Sequence, residues 1–241
     1  MNAVAETNES SSGEPIITLD EVTKKYRQGQ HDVFALRGLS LQVHPGELMA
    51  LCGPSGSGKT TALNLIGALD QPTSGKVVIE GTDLSTMSRT ARSRLRRDRI
   101  GFVFQAYNLV PVLTAYENAE IVLSLQGSDA DKRREKVMQL LADVGLEGME
   151  HRRPDELSGG QQQRVAIARA IAADPVVVLA DEPTANLDTE TAERLLDIME
   201  ALNRDRGVTF IFSTHDPRVM ARARRVVRLV DGRIDSDETK E

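Results

Sequence analysis

The stretch Leu48-Met49-Ala50-Leu51-Cys52-Gly53-Pro54-Ser55-Gly56-Ser57-Gly58-Lys59-Thr60 decides the fold. Five apolar residues in a row are what a strand buried on both faces of a parallel sheet looks like. They lead directly into the spacing GxxxxGK[ST], and a helical pattern follows over residues 61–69. Phosphate oxygens need several donors in a small concavity; glycines let backbone N–H groups converge, and a helix N-terminus adds a favourable dipole. Residues Gly53, Pro54, Ser55, Gly56, Ser57 and Gly58 are therefore the predicted cradle, with Thr61 opening the helix behind it. Lys59 supplies a point charge for β- and γ-phosphates, and Thr60 a hydroxyl for Mg2+, a cation that takes hard oxygen ligands and keeps several waters.

Outward from this stretch the same kind of apolar run recurs at residues 100–104, 176–180 and 209–212, whereas residues 16–22 and 33–43 alternate like antiparallel edge strands. The class is α/β. The run at 176–180 delivers Asp181 and Glu182 at its C-terminal end, where ligands bind in open α/β sheets. Two acids there are costly without a cation, so Asp181 is the expected Mg2+ partner and Glu182 the base or positioner for an attacking water. From Asp83 to about Leu157, apart from the strand ending at Phe104, the chain is charged, helix-favouring and broken by Pro111, Gly127, Gly145 and Pro154. A mostly helical insertion is expected over about 106–157. No internal repeat is present, which excludes a solenoid.

The 241 residues, 40% hydrophobic and 27% charged, fit one ordinary domain and exclude collagen-like, coiled-coil and disordered classes. With 30 basic and 36 acidic residues the net charge is −6, which argues against binding nucleic acid by bulk charge. A lone cysteine, Cys52, excludes an internal disulfide framework, fits a reducing compartment and reads as a small buried hydrophobe. No stretch nears the ~20 apolar residues of a spanning helix and the start lacks an export signal, so a cytoplasmic chain is expected, with any membrane role coming through a partner. Residues 1–14 and 236–241 are polar and read as tails, leaving 15–235 as the domain.

Leu157-Ser158-Gly159-Gly160-Gln161 precedes a helix with Val165, Ala168 and Ala172 on one face. Ser158, Gly159, Gly160 and Gln161 can aim a hydroxyl and N–H groups at a second anion. With the cradle and the Asp181-Glu182 pair in this order, the chain resembles the ATP-binding cassette (ABC) ATPase family over about residues 15–235. That resemblance implies a P-loop NTPase fold: an ABC-type nucleotide-binding domain with a mainly parallel sheet core, an antiparallel β edge subdomain and a helical insertion. It implies ATP and Mg2+, and a second copy of the chain in an ATP-sandwich dimer, where Ser158 to Gln161 of one copy face the γ-phosphate held by the other. It also implies that Tyr26 stacks on adenine, Gln105 senses Mg2+ and the nucleophilic water, Asp188 crosses the dimer interface and His215 holds the γ-phosphate. Without the resemblance Tyr26 would read as a strand-edge aromatic and Gln105 as a polar loop residue.

Within the family, the segment from Gln105 to Asn118 and the wording Glu182-Pro183-Thr184-Ala185-Asn186-Leu187-Asp188 look most like the lipoprotein-release (LolD-type), macrolide-export (MacB-type) and cell-division (FtsE-type) ATPases, with Ala185 in place of the usual glycine. The resemblance implies an ATP-hydrolysing subunit, peripheral on the inner face of the cell membrane, whose integral membrane permease partners dock near residues 105–118. Leu109, Val110 and Leu113 serve either that docking or the core. The alternative is a soluble ABC ATPase acting on nucleic acid or ribosomes; such proteins usually carry a long coiled coil or two fused cassettes, and this chain has neither, so no nucleic-acid partner is expected. A regulatory module without turnover is disfavoured because no catalytic position is missing. Arg89, Arg92, Arg94, Arg96, Arg97 and Arg99 read as a solvated helix face or as a contact for acidic lipid or the membrane subunit, and Arg222, Arg224, Arg225 and Arg228 likewise.

Overall fold

In the computed structural model the described residues are 13–29 and 31–240. The chain opens with two long strands, β1 (Ile17–Gln28) and β2 (His31–Val43), then β3 (Leu48–Cys52) and α1 (Lys59–Ile66). Next come β4 (Ser74–Ile79), β5 (Thr82–Asp83), α2 (Arg89–Arg99) and β6 (Ile100–Phe104). The helical insertion follows as α3 (Ala115–Leu125) and α4 (Ala130–Asp143), and α5 (Gly159–Ile171) leads back to the sheet. The remainder is β7 (Val177–Asp181), α6 (Thr189–Arg206), β8 (Phe210–Ser213), α7 (Pro217–Arg222), β9 (Arg225–Val230) and β10 (Arg233–Thr239).

Two sheets result. One is antiparallel, in the order β2-β1-β4-β5; the other runs β10-β9-β3-β8-β7-β6 and is parallel except at β10. All five residues of β3 are buried, as its unbroken apolar run demands. Its side chains alternate between two cores. Leu48 and Ala50 face the helices α3 to α6, while Met49 and Leu51 face α1 and the antiparallel sheet. The strand that ends in the cradle is thus clamped from both sides.

Several expectations need correction. Residues 236–239 are not a tail: they continue β10, with Ser236 opposite Arg228 and Thr239 opposite Arg225. Their side chains are polar because β10 is an edge strand whose pairing comes from backbone groups, and Asp237 receives two bonds from the Arg225 guanidinium at 2.8 and 2.7 Å. The expected N-terminal tail lies, up to residue 12, outside the described residues. β1 continues to Gln28, well past residue 22, through register shifts after Leu19 that are accompanied by a left-handed Glu21 (φ 48°).

Neither basic run is a uniformly solvated face. Arg97 chelates Asp98, Arg99 pairs with Glu80 and Arg96 donates to the Ala68 carbonyl at 2.7 Å. Arg222 ties α7 to α6 through Glu193, Asp197 and Glu200. In the loop before α3, Leu109 packs on the core while Val112 stays 72% exposed. The loop is held by buried Asn118, whose amide donates to the carbonyls of Val110, Leu113 and Thr114 and accepts from Val110 N–H at 2.8 Å. Among the described residues no helix is long and apolar enough to cross a membrane.

Candidate active site

The cradle forms because two of its glycines sit where no other residue fits. Gly53 has φ 145°, and a Cβ there would lie 2.1 Å from the Leu229 carbonyl oxygen of β9. At Gly58, φ 104°, a Cβ would meet the Ala35 carbonyl oxygen of β2 at 2.5 Å. Gly56 (φ 78°) has nothing within 4 Å on that side, so it faces open space. The loop is thereby pressed between β9 of one sheet and β2 of the other. α1, which follows, has no side-chain cap at its N-terminus, and Ser57 Oγ is buried without a hydrogen-bond partner. Open N–H groups and a positive helix end are what an anion requires. The Lys59 ammonium lies over the loop, donating to the carbonyls of Gly53 at 2.7 Å and Pro54 at 3.0 Å.

A cleft of about 790 Å³ opens over this loop and gathers most of the expected residues: Tyr26, the whole run from Gly53 to Thr61, Gln105, Glu182 and His215. It also takes in Val33, Phe34 and Ala35 of β2, which the sequence reading did not single out. Phe34 is 41% exposed, with the Arg37 guanidinium 5.1 Å from its ring centroid. An exposed aromatic on an alternating strand is the signal that could have found it.

Glu182 leaves the end of β7 in a left-handed conformation (φ 46°), with its N–H bonded to the Ser213 carbonyl at 2.9 Å. That turn points its carboxylate, only 19% exposed, at the loop after β8. His215 Nδ1 donates to Glu182 Oε1 at 2.6 Å, and Thr214 Oγ1 donates to Oε2 at 3.3 Å. The imidazole is itself 76% exposed, so Nε2 faces outward. Next to it, Asp216 accepts from the Arg218 guanidinium, Arg218 N–H and Thr184 Oγ1. The Arg218 guanidinium is the chief cause that lowers the Asp216 carboxyl to about 2. Asp181 sits between Phe104 of β6 and Ser213 of β8 in the sheet register. Among the described residues no group of three or more Asp, Glu, His or Cys forms a cation cage. Thr60 and Gln105 line the cleft, whereas Asp181 does not.

Besides Asp181, two predicted groups stand apart from the cleft. Ser158, Gly159, Gly160 and Gln161 do not line the cleft. They close the N-terminus of α5 on itself: Ser158 Oγ accepts from Gln161 N–H at 3.3 Å, and Gln161 Oε1 accepts from Ser158 N–H at 2.8 Å. Asp188 caps α6, accepting from Thr191 N–H at 2.9 Å and Thr191 Oγ1 at 2.6 Å. These bonds hold its exposed carboxyl below the ordinary carboxylate range. Together with Glu182, His215 and Asp216 it borders a second groove.

Gln105 is held indirectly. Its carbonyl accepts from Asn186 Nδ2 at 2.9 Å, while Tyr107 (φ 60°) and Asn108 (φ 51°), two and three residues on, give their carbonyls to Arg169 of α5. Burial lowers the pKa of that guanidinium. Neither Asn186 nor Arg169 was anticipated from sequence.

A sequence profile of the ABC transporter family matches residues 36–185, more than half of the chain. The lipoprotein-releasing system ATP-binding protein LolD of Anaeromyxobacter dehalogenans is 49% identical over 92% of this chain and 94% of its own length. The macrolide export ATP-binding/permease protein MacB of Syntrophobacter fumaroxidans is 47% identical over 92% of this chain, which spans about a third (31%) of that longer protein. In three dimensions the chain is similar to MJ0796, an ATP-binding cassette of Methanocaldococcus jannaschii whose solved structure is a dimer in a post-hydrolysis state bound to ADP and Pi. The TM-score is 0.85 at 41% identity, covering 93% of this chain and 99% of that one. A family profile over more than half of the chain, together with relatives 47% and 49% identical over 92% of it, places this protein in the ABC transporter family, as one of its ATP-binding cassettes.

Proposed function

We propose that the chain is the ATP-hydrolysing subunit of a membrane transporter of the lipoprotein-release or macrolide-export type, working as a dimer that clasps two ATP molecules. The observation that carries this reading is the Glu182–His215 pair, joined at 2.6 Å at the lip of the cradle that Lys59 overhangs. The cradle N–H groups and Lys59 bind the triphosphate, and Tyr26 receives the base. Thr60, Gln105 and Asp181 are the residues that would hold Mg2+, whose contribution when bound is to neutralise charge on the β- and γ-phosphates. Glu182, which lines the cleft beside the cradle, orients the attacking water and takes its proton. His215 steadies the γ-phosphate through Nε2, a role that needs the ring protonated, because Nδ1 already donates to Glu182.

The second copy supplies Ser158, Gly159, Gly160 and Gln161, which do not line the cleft of their own chain, and Asp188 crosses beside them. ATP then closes the dimer and its cleavage releases it, a population shift driven by differential affinity. The motion passes to permease subunits docked along residues 105–118, which keeps the chain peripheral on the inner face of the membrane. The relatives named for lipoprotein release and macrolide export favour this over action on nucleic acid or ribosomes.

The test is Glu182→Gln. ATP binding stays within about twofold while phosphate release falls by ~10²-fold or more, the usual contribution of a positioned base. Near-normal turnover would overturn the assignment.

A further inference from the structure

We infer that Asp70 is a positioning residue for the nucleobase: it braces the Tyr26 ring in the orientation that receives the base. The inference rests on the reading of Tyr26 as the base platform. Beyond Thr23, β1 pairs with β2 alone, so Tyr26 stands on a ribbon supported from one side and is 40% exposed. An aromatic in that position has free rotamers, and ordering it on each binding event costs affinity.

Here the ordering is done in advance. Tyr26 Oη donates to Asp70 Oδ2 at 2.9 Å. Asp70 Oδ1 in turn accepts from Lys24 Nζ at 2.7 Å, and Lys24 also donates to the Gln71 carbonyl at 2.8 Å. The Lys24 ammonium lies 4.9 Å from the Tyr26 ring centroid and does not line the cleft, so it takes one face of the ring and leaves the other to the cleft. Lys24 and Tyr26 are two residues apart on one strand and share a face of the ribbon.

The anchor is firm as well. Thr73 N–H donates to the Thr23 carbonyl at 2.8 Å and Lys25 N–H to Thr73 Oγ1 at 3.0 Å, which staples the segment after α1 onto β1. Partial burial opposes ionisation of Asp70, but Lys24, the Gln71 N–H and the Tyr26 hydroxyl together hold its carboxyl below the usual range. Burial and the Asp70 carboxylate push the Tyr26 phenol up, so the hydroxyl keeps its proton to donate. α1 therefore presents the triphosphate cradle at one end and, just past the other, the tether of the base platform.

The experiment titrates the full chain with MgATP and, separately, with inorganic triphosphate, in a Glu182→Gln background that preserves the nucleotide. Tyr26→Phe keeps the ring and the Lys24–Asp70 pair but deletes the tether. It is expected to weaken ATP by about three- to tenfold, the range of one net hydrogen bond, with triphosphate affinity unchanged. Asp70→Ala is expected to do the same, and the double variant no more than either alone. Tyr26→Ala must weaken ATP at least as much. If Tyr26→Ala leaves ATP affinity at the parental value, the platform reading itself fails. If Tyr26→Ala weakens ATP but Tyr26→Phe does not, or if the effects of Tyr26→Phe and Asp70→Ala add, the brace is refuted while the platform stands. An Asp70→Ala variant that weakens triphosphate as much as ATP also refutes it.

Discussion

α1 and α5 both begin at a serine- and glycine-containing turn, and both read from sequence as anion sites, yet their first turns are in opposite states. At α1 the residue before the helix is Gly58 in the left-handed region, no side chain caps the N–H groups, and they open onto the cleft beside Lys59. At α5 the reciprocal bonds between Ser158 and Gln161 engage both side chains and satisfy the N–H groups of these two residues. One N-terminus opens onto the cleft of its own chain; the other is closed by its own side chains. Exchanging the Ser158 cap for a phosphate contact is favourable, because a cap contributes about 1 kcal/mol whereas a hydrogen bond to a charged group contributes about 1.5–3. The same pairing of small residues with a helix start thus takes two capping states, one open and one closed.

The largest effect is expected where the open end depends on close approach. Gly53→Ala puts a Cβ 2.1 Å from the Leu229 carbonyl oxygen at a φ of 145°. Overpacking and backbone strain of about 1–3 kcal/mol each should displace the loop and weaken ATP by roughly 10²-fold or more. Calorimetric titration checks this, with thermal unfolding run in parallel to confirm a folded protein. An affinity within twofold of the parent would mean that the cradle does not need the approach described.

Ser158→Ala sharpens the contrast. In the free chain it removes a cap and should cost about 1 kcal/mol of stability. In turnover it should cost roughly ten- to a hundredfold, as loss of a charge-assisted bond made across the dimer, and the residual rate should still rise more steeply than linearly with protein concentration. A rate loss that only tracks the folded fraction would mean that α5 is a structural helix and no more.

The open end was legible because its instructions are local. A strand of five buried residues, glycines at fixed offsets, and a Lys-Thr pair lie within 13 consecutive residues. Asp181 and Glu182 were legible for the same reason, as the continuation of another buried run. What escaped is non-local or is carried by the backbone. Asp70 meets Tyr26 across 44 residues, Asn186 meets Gln105 across 81 and Arg169 meets Asn108 across 61, and no spacing rule reaches that far. β10 was missed because its pairing uses peptide groups, to which a polar sequence gives no clue.

α7 supplies a third N-terminus, of the closed kind, and the smallest of these effects. Asp216 accepts from Arg218 N–H and the Arg218 guanidinium and from Thr184 Oγ1, which anchors the loop that carries His215 onto the turn after Glu182. Its folded carboxyl titrates at about 2, below an ordinary value of 3.8. A depressed folded pKa stabilises the fold fully above the unfolded value, and that stability is lost as pH falls from about 4 through about 2. At 1.36 kcal/mol per unit the contribution is at most about 2.5 kcal/mol, and about 1 after screening of a partly solvated pair. Asp216→Asn should therefore be less stable than the parent by about that amount at pH 7, with the gap closing between pH 4 and pH 2 as other carboxylates cancel in the difference. Urea midpoints measured on both proteins across that range decide it. A gap that stays constant with pH would assign the loss to hydrogen-bond geometry rather than charge, and the closed caps would then owe nothing to ionisation.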